Sequence, residues 1–158
     1  MELGCAAPCP LQITLPVVPR AQTAAEWPIQ VLLVEDNMEA AWLVQMCLEG
    51  VSAEQFRVEW SQNLLEAMTR LAQPGIEVVL LDLGLPELNG YRSFRAIDAA
   101  AGGKLPVVIL TSDDRGVSKH LTVGLGASDY LMKDKISPVQ LRQSLLDAVL
   151  RGRPRDKE

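Results

Sequence analysis

Short apolar runs rich in β-branched residues alternate with longer stretches of helical period from about residue 27 onward. Runs of this kind, separated by turn residues, are typical of β-strands, and their alternation with helices predicts an α/β domain built on a parallel sheet. Three of the runs are apolar at every position, so we expect helices on both faces of the sheet and three layers in all. The five predicted strands are Ile29–Val34, Phe56–Trp60, Val78–Leu81, Val107–Leu110 and Asp129–Met132.

Five helices are predicted between and after these strands, from apolar residues that recur every three or four positions. The last begins clearly, because Ser137 is a typical N-cap and Pro138 fits the first helical turn. The fourth, at 118–124, is short and lies among glycines. Trp42 and Trp60 are interpreted as packing residues rather than as platforms for a ligand. The stripes that predict the other four helices are Ala41/Val44/Leu48, Leu64/Met68/Leu71, Tyr91/Phe94/Ile97 and Leu141/Leu145/Ala148.

The length and composition narrow the class of protein. The 158 residues allow one domain with a tail. Residues 1–27 contain four prolines and no regular period, so they are predicted to form a poorly ordered leader. A net charge of −5 gives no general attraction to nucleic acid or anionic membranes, and no apolar run approaches the roughly 20 residues of a membrane-spanning helix. Three cysteines at uninformative spacing and a single histidine disfavour a zinc site. An odd number of cysteines also fits a protein of the reducing cytoplasm best.

Polar residues follow four of the predicted strands, at the sheet edge where doubly wound folds form their ligand crevice. They are Glu35 and Asp36 after the first strand, Asp82 after the third, Thr111 after the fourth and Lys133 after the fifth. Three neighbouring carboxylates repel one another unless a cation joins them, and an oxygen-only site without Cys or His suits Mg²⁺. Lys133 and Thr111 suit phosphate oxygens. A carboxylate beside these groups can attack a phosphoryl group and form an aspartyl phosphate.

Four segments match one protein family in its order and spacing. They are VLLVEDN at 31–37, LLDLGLPELNG at 80–90, LPVVILTS at 105–112 and GASDYLMK at 126–133. Over residues 28–151 the chain resembles the response-regulator receiver domain (CheY-like superfamily) of two-component signal transduction, which leaves 152–158 as a charged C-terminal tail. The resemblance implies a flavodoxin-like, doubly wound sheet of five parallel strands in the order 2-1-3-4-5, with five helices.

The resemblance also implies a role for each acidic residue. Asp82 is the expected phosphoacceptor and, with Asp36, a magnesium ligand. Glu35 is expected to hold the metal through water, and the carbonyl of Gly84 to complete the protein's share of its coordination.

A switch is implied by the same resemblance. Lys133 is expected to contact the phosphoryl group, while Thr111 and Tyr130 form a switch pair that remodels the face made by the fourth helix, fifth strand and fifth helix. Most members of the family have a proline after the lysine, whereas Asp134 follows Lys133 here.

The leading hypothesis is therefore a cytoplasmic, stand-alone response regulator. It accepts a phosphoryl group on Asp82 from a histidine kinase or phosphotransfer protein, with Mg²⁺, and then changes its affinity for a downstream partner protein in a phosphorelay. We expect a monomer or weak homodimer that binds no nucleic acid, does not insert into membranes and is not an enzyme beyond self-limited autodephosphorylation. The alternatives are a phosphorylation-independent scaffold of the same fold and a magnesium-dependent phosphohydrolase. Such hydrolases usually carry a second aspartate at the position that Gly84 occupies here.

Overall fold

One parallel sheet forms the centre of the fold. The computed structural model describes residues 28–52, 55–88, 90–112, 124 and 126–152. The strands are β1 (Ile29–Val34), β2 (Phe56–Ser61), β3 (Val78–Asp82), β4 (Val107–Thr111) and β5 (Asp129–Met132). All neighbouring strands are parallel, and their order is β2-β1-β3-β4-β5. The predicted α/β fold and strand order are confirmed.

Three strands extend one residue beyond their predicted apolar runs, to Ser61, Asp82 and Thr111. Asp82, for example, still pairs with Leu110 across the β3–β4 ladder. The ladder is made by backbone groups, so a polar side chain at the end of a strand does not remove its residue from the sheet. As a result, Asp82 and Thr111, like Tyr130 in β5, belong to strands and are held by the sheet itself.

The helices cover both faces of the sheet. In the part of the chain that the structure describes, they are α1 (Met38–Ser52), α2 (Leu64–Leu71), α3 (Gly90–Ala100) and α4 (Pro138–Arg151). Helices α1 and α4 pack on one face, and α2 and α3 pack on the other. Strands β3 and β4 are buried at every position, which confirms the predicted three layers.

Helix α4 is the fifth helix of the sequence prediction. The predicted fourth helix, at 118–124, lies outside the described residues except for Gly124, and the leader at 1–27 and the tail after Gly152 lie outside them as well. The predicted domain limits therefore stay predictions. None of the helices in the described ranges combines the length and apolar character needed to cross a bilayer.

The predicted apolar stripes are correct for α1 and α4 and partly wrong for α2 and α3. Met68 is 40% exposed and Tyr91 is 37% exposed, while Ala67 and Ser93 are fully buried in the same helices. An apolar side chain can lie beside the buried stripe as well as in it, and a small serine can be buried when its hydroxyl is bonded. Trp42 is 58% exposed, so its interpretation as a packing residue is also wrong.

Candidate functional site

Three carboxylates meet at the carboxyl edge of the sheet. Glu35 and Asp36 directly follow β1, Asp82 ends β3, and one oxygen from each of the three lies within 4.8 Å of the others. They converge because β1 and β3 are adjacent parallel strands that end at the same level. Glu35 and Asp82 are buried and Asp36 is exposed, so the cluster has a closed side and an open side.

Glu35 is fixed through all four of its hydrogen-bonding groups. Its backbone N–H donates to the carbonyl of Ser61 at 3.1 Å, and its own carbonyl accepts a hydrogen bond from the indole Nε1 of Trp60 at 2.7 Å. In its carboxylate, Oε1 accepts from the backbone N–H of Asn37 at 3.1 Å and Oε2 accepts from Nζ of Lys133. This residue is 1% exposed, and it is held by β2, by the start of α1 and by a lysine that follows β5.

Burial dominates the electrostatics of Glu35. The pKa of its carboxyl is raised from 4.5 to about 7; loss of solvent is the largest cause, and the negative charge of Asp82 adds to it. The hydrogen bond and the positive charge of Lys133 lower it and only partly offset these effects. A buried carboxylate beside a second one is costly to ionise, so this site favours either a proton or an additional cation.

Asp82 lies between a lysine and a backbone amide. Its Oδ2 is 3.4 Å from Nζ of Lys133, and its Oδ1 accepts a hydrogen bond from the N–H of Gly84 at 3.0 Å. Both carboxylate oxygens therefore face positive groups, which orients the side chain. Lys133 lies between Asp82 and Glu35 and forms ion pairs with both.

Lys133 reaches this position without the proline that usually follows it in the family. Its backbone N–H donates to the carbonyl of Thr111 at 2.8 Å, which extends the β4–β5 pairing by one residue. The chain then turns at Asp134, where the N–H of Lys135 donates to the carbonyl of Met132 at 3.1 Å. The turn directly after Lys133 thus forms with an aspartate in the proline position.

The two predicted switch residues lie on one face of the sheet. Tyr130 pairs with Ile109 across the β4–β5 ladder, and Thr111 is two positions beyond Ile109. Since side chains alternate along a strand, Thr111 and Tyr130 point to the same side, the one covered by α2 and α3. Both are buried, and Tyr130 packs in the core cluster of that face.

Two contacts were not predicted from the sequence: that of Trp60 at the site, and that of Ser144 at the opposite end of β5. Trp60 bonds to the backbone of Glu35, as described above. Ser144, on α4, donates a hydrogen bond at 2.7 Å to Oδ2 of Asp129, while Oδ1 of that residue accepts from the N–H of Tyr130 at 2.8 Å. No local sequence pattern indicates the contacts of Trp60 and Ser144, because each joins a strand to a segment that is distant in the sequence.

Comparison with known proteins agrees with the fold. The profile of the response regulator receiver domain matches residues 31–146. The receiver domain of a sensor histidine kinase from Pseudomonas aeruginosa PAO1 is similar in structure, with a TM-score of 0.64, 25% identity and coverage of 78% of this chain and 98% of that one. Its crystal structure has a magnesium ion coordinated in the active-site cleft.

Two curated relatives come from bacterial regulation. The swarming motility regulation protein RssB of Serratia marcescens is 33% identical over 105 residues, which is 66% of this chain and 46% of RssB. The CpxR homolog of Haemophilus influenzae, a transcriptional regulatory protein, is 36% identical over 104 residues, which is 66% of this chain and 43% of that protein. The chain spans less than half the length of these two relatives.

This chain belongs to the response-regulator receiver family of two-component systems. Receiver domains are generally phosphoacceptor switches rather than enzymes, and they interact with histidine kinases or phosphotransfer proteins. The profile match covers every candidate site residue, from Glu35 to Lys133.

Proposed function

We propose that this protein accepts a phosphoryl group on Asp82 and that the modified state binds a downstream partner with altered affinity. The observation that carries the proposal is the placement of Asp82, a buried carboxylate at the end of a strand. Nζ of Lys133 lies 3.4 Å from one of its oxygens, and two further carboxylates lie within 4.8 Å. A buried aspartate that had only a structural role would not need this grouping of like charges.

The donor set fits Mg²⁺. Glu35, Asp36 and Asp82 supply only oxygen atoms, and no Cys or His among the described residues belongs to the cluster, which matches the preference of a hard cation. We assign Asp36 and Asp82 as direct ligands, Glu35 as a ligand through water, and the Gly84 carbonyl as the remaining protein ligand. When bound, Mg²⁺ would neutralise phosphoryl oxygens and offset the repulsion among the carboxylates.

The chain's own residues account for the transfer. One carboxylate oxygen of Asp82 attacks the phosphorus of a phosphohistidine donor, an O–P bond forms, the P–N bond breaks, and the imidazole nitrogen keeps the electron pair. Lys133 already lies beside Asp82, so its ammonium can exchange Glu35 for the new phosphoryl oxygens as they arrive. The N–H of Gly84 holds the carboxylate in one orientation during the attack.

We further propose that Thr111 and Tyr130 report the phosphoryl group to the surface. The hydroxyl of Thr111, at the end of β4, would move toward the phosphoryl oxygens, and the Tyr130 ring would repack on the same face of the sheet. The downstream partner would bind the face that includes β5 and α4. The modified aspartate adds negative charge beside these residues and shifts a two-state equilibrium.

The test is direct phosphorylation. The protein is incubated with Mg²⁺ and a small-molecule phosphodonor, and intact-mass measurement should show one added phosphoryl group that is stable to acid and labile to base. Asp82→Asn should abolish the adduct, whereas Asp147→Asn, the same change on the distant helix α4, should leave it. Chelation of the metal should also prevent labelling. Failure of the wild-type chain to label with any donor would refute the proposal.

A further inference from the structure

We propose that Trp60 is a positioning residue for the metal site: its indole N–H fixes the peptide that carries Asp36. This inference rests on the proposed binding of Mg²⁺ by Asp36 and Asp82. It assigns to Trp60 a role distinct from the packing role predicted for it from the sequence.

The contact lies at the junction between β1 and the start of α1. The indole Nε1 of Trp60 donates a 2.7 Å hydrogen bond to the backbone carbonyl of Glu35, and the N–H of Glu35 donates to the carbonyl of Ser61 at 3.1 Å. Two consecutive residues of β2 therefore hold both backbone groups of Glu35. The contact with Ser61 continues the β1–β2 strand pairing, whereas the contact with Trp60 uses a side chain at a point where that pairing has ended.

Holding this carbonyl also constrains the next residue. A peptide unit is planar, so the carbonyl of Glu35 lies in one plane with the nitrogen and Cα of Asp36. A donor that fixes the carbonyl thus fixes the direction in which the chain enters Asp36. Rotation of this plane would move the Asp36 carboxylate relative to Asp82, whose own position is fixed by β3.

Asp36 is also anchored on its far side. The side-chain Oδ1 of Asn37 accepts a hydrogen bond from the N–H of Ala40 at 2.8 Å, and the backbone carbonyl of Asn37 accepts one from the N–H of Ala41 at 3.0 Å. Asn37 therefore caps α1. The exposed Asp36 is therefore a single residue between two fixed peptides. On the β1 side of Asp36, the nearest of these restraints is the hydrogen bond from the indole of Trp60 to the Glu35 carbonyl.

The packing of Trp60 and its hydrogen bond can be separated by substitution. Its ring is half-buried against the core cluster under α1 and α4. Trp60→Phe keeps an aromatic ring in that position and removes the N–H donor. Trp42→Phe is the matched control, because it makes the same chemical change on the exposed face of α1.

The experiment measures Mg²⁺ affinity by calorimetric titration of the unphosphorylated, full-length chain. Loss of one well-aligned hydrogen bond should weaken Mg²⁺ binding by about three- to tenfold in Trp60→Phe and leave Trp42→Phe within about twofold of wild type. In the metal-free protein, amide exchange at Glu35, whose N–H donates to the carbonyl of Ser61, should become faster in Trp60→Phe only, which is a readout independent of any metal.

The outcomes separate the two proposals. If the wild type binds Mg²⁺ and Trp60→Phe binds it equally well, with unchanged amide exchange at Glu35, Trp60 is only a packing residue and this inference is wrong. A loss of folding stability in Trp60→Phe without a change in affinity would overturn the inference in the same way. If the wild type itself binds no Mg²⁺, the proposed metal site fails and the role of Trp60 fails with it.

Discussion

Replacing Glu35 by glutamine should make the metal-free protein more stable, although the residue belongs to the candidate site. Burial raises the pKa of the Glu35 carboxyl from 4.5 to about 7 in the folded chain, with Asp82 adding to the shift and Lys133 opposing it. The stability that this group contributes is therefore fully present below its unfolded pKa and is lost as the pH rises through the folded value. Glutamine has the same shape, stays neutral, and keeps an acceptor for Lys133.

The size of the effect follows from the two pKa values. A difference between 4.5 and about 7 corresponds to on the order of 3 kcal/mol once the pH exceeds both. Glu35→Gln should therefore match the wild type near pH 4.5 and exceed it by up to that amount at about pH 8. For a domain of this size the gain corresponds to roughly 6–12 °C in melting temperature.

The assay is thermal and urea unfolding across this pH range in the presence of a chelator. Glu39→Gln is the matched control, because it removes the same charge at an exposed position in the first turn of α1 and should change stability by less than about 0.5 kcal/mol. A Glu35→Gln protein that is no more stable than wild type at high pH would refute the reasoning. So would a stabilisation that does not depend on pH.

Two further predictions concern the scaffold. Leu145→Ala on α4 should lower the free energy of unfolding, measured by urea denaturation, by about 2–5 kcal/mol, because Leu145 is fully buried. Leu150→Ala on the same helix should cost far less, since Leu150 is mostly exposed. Equal losses would contradict the assigned face of α4. Asn63→Ala should lower the free energy of unfolding by about 1 kcal/mol, because the Asn63 side chain caps α2 by accepting a hydrogen bond from the N–H of Glu66 at 2.9 Å. Asn63→Asp should keep most of that stability. An alanine variant as stable as the wild type would show that this cap does not stabilise α2.

Local pattern was sufficient to predict the sheet. The strands of the core are continuous apolar runs, and such runs are stable only between two layers of helices. The placement of Glu35, Asp36 and Asp82 on one edge was predictable from the same pattern, since the carboxyl ends of parallel strands share an edge. Their meeting within that edge depends on β1 and β3 being neighbours. The resemblance to receiver domains then supplied the strand order and the expected role of each residue.

Helix faces were less predictable, because periodicity limits the buried stripe without fixing it. In α2, Leu64 and Leu71 fit two stripes, one through Ala67 and one through Met68, and the packing against the sheet selected the smaller Ala67. The exposure of Trp42 likewise depends on how α1 is rotated against α4. Side-chain size and hydrophobicity alone do not determine that rotation.

What the sequence by itself determined is the set of groups at the sheet edge: three carboxylates, a hydroxyl and a lysine, each placed at the end of a predicted strand. The tertiary structure decided how they interact. The bond from Trp60 to Glu35 spans 25 positions and that from Lys133 to Glu35 spans 98, and both depend on the register and order of the strands. The raised pKa of Glu35 is decided at the same level, because burial is a property of the packed layers and not of any segment.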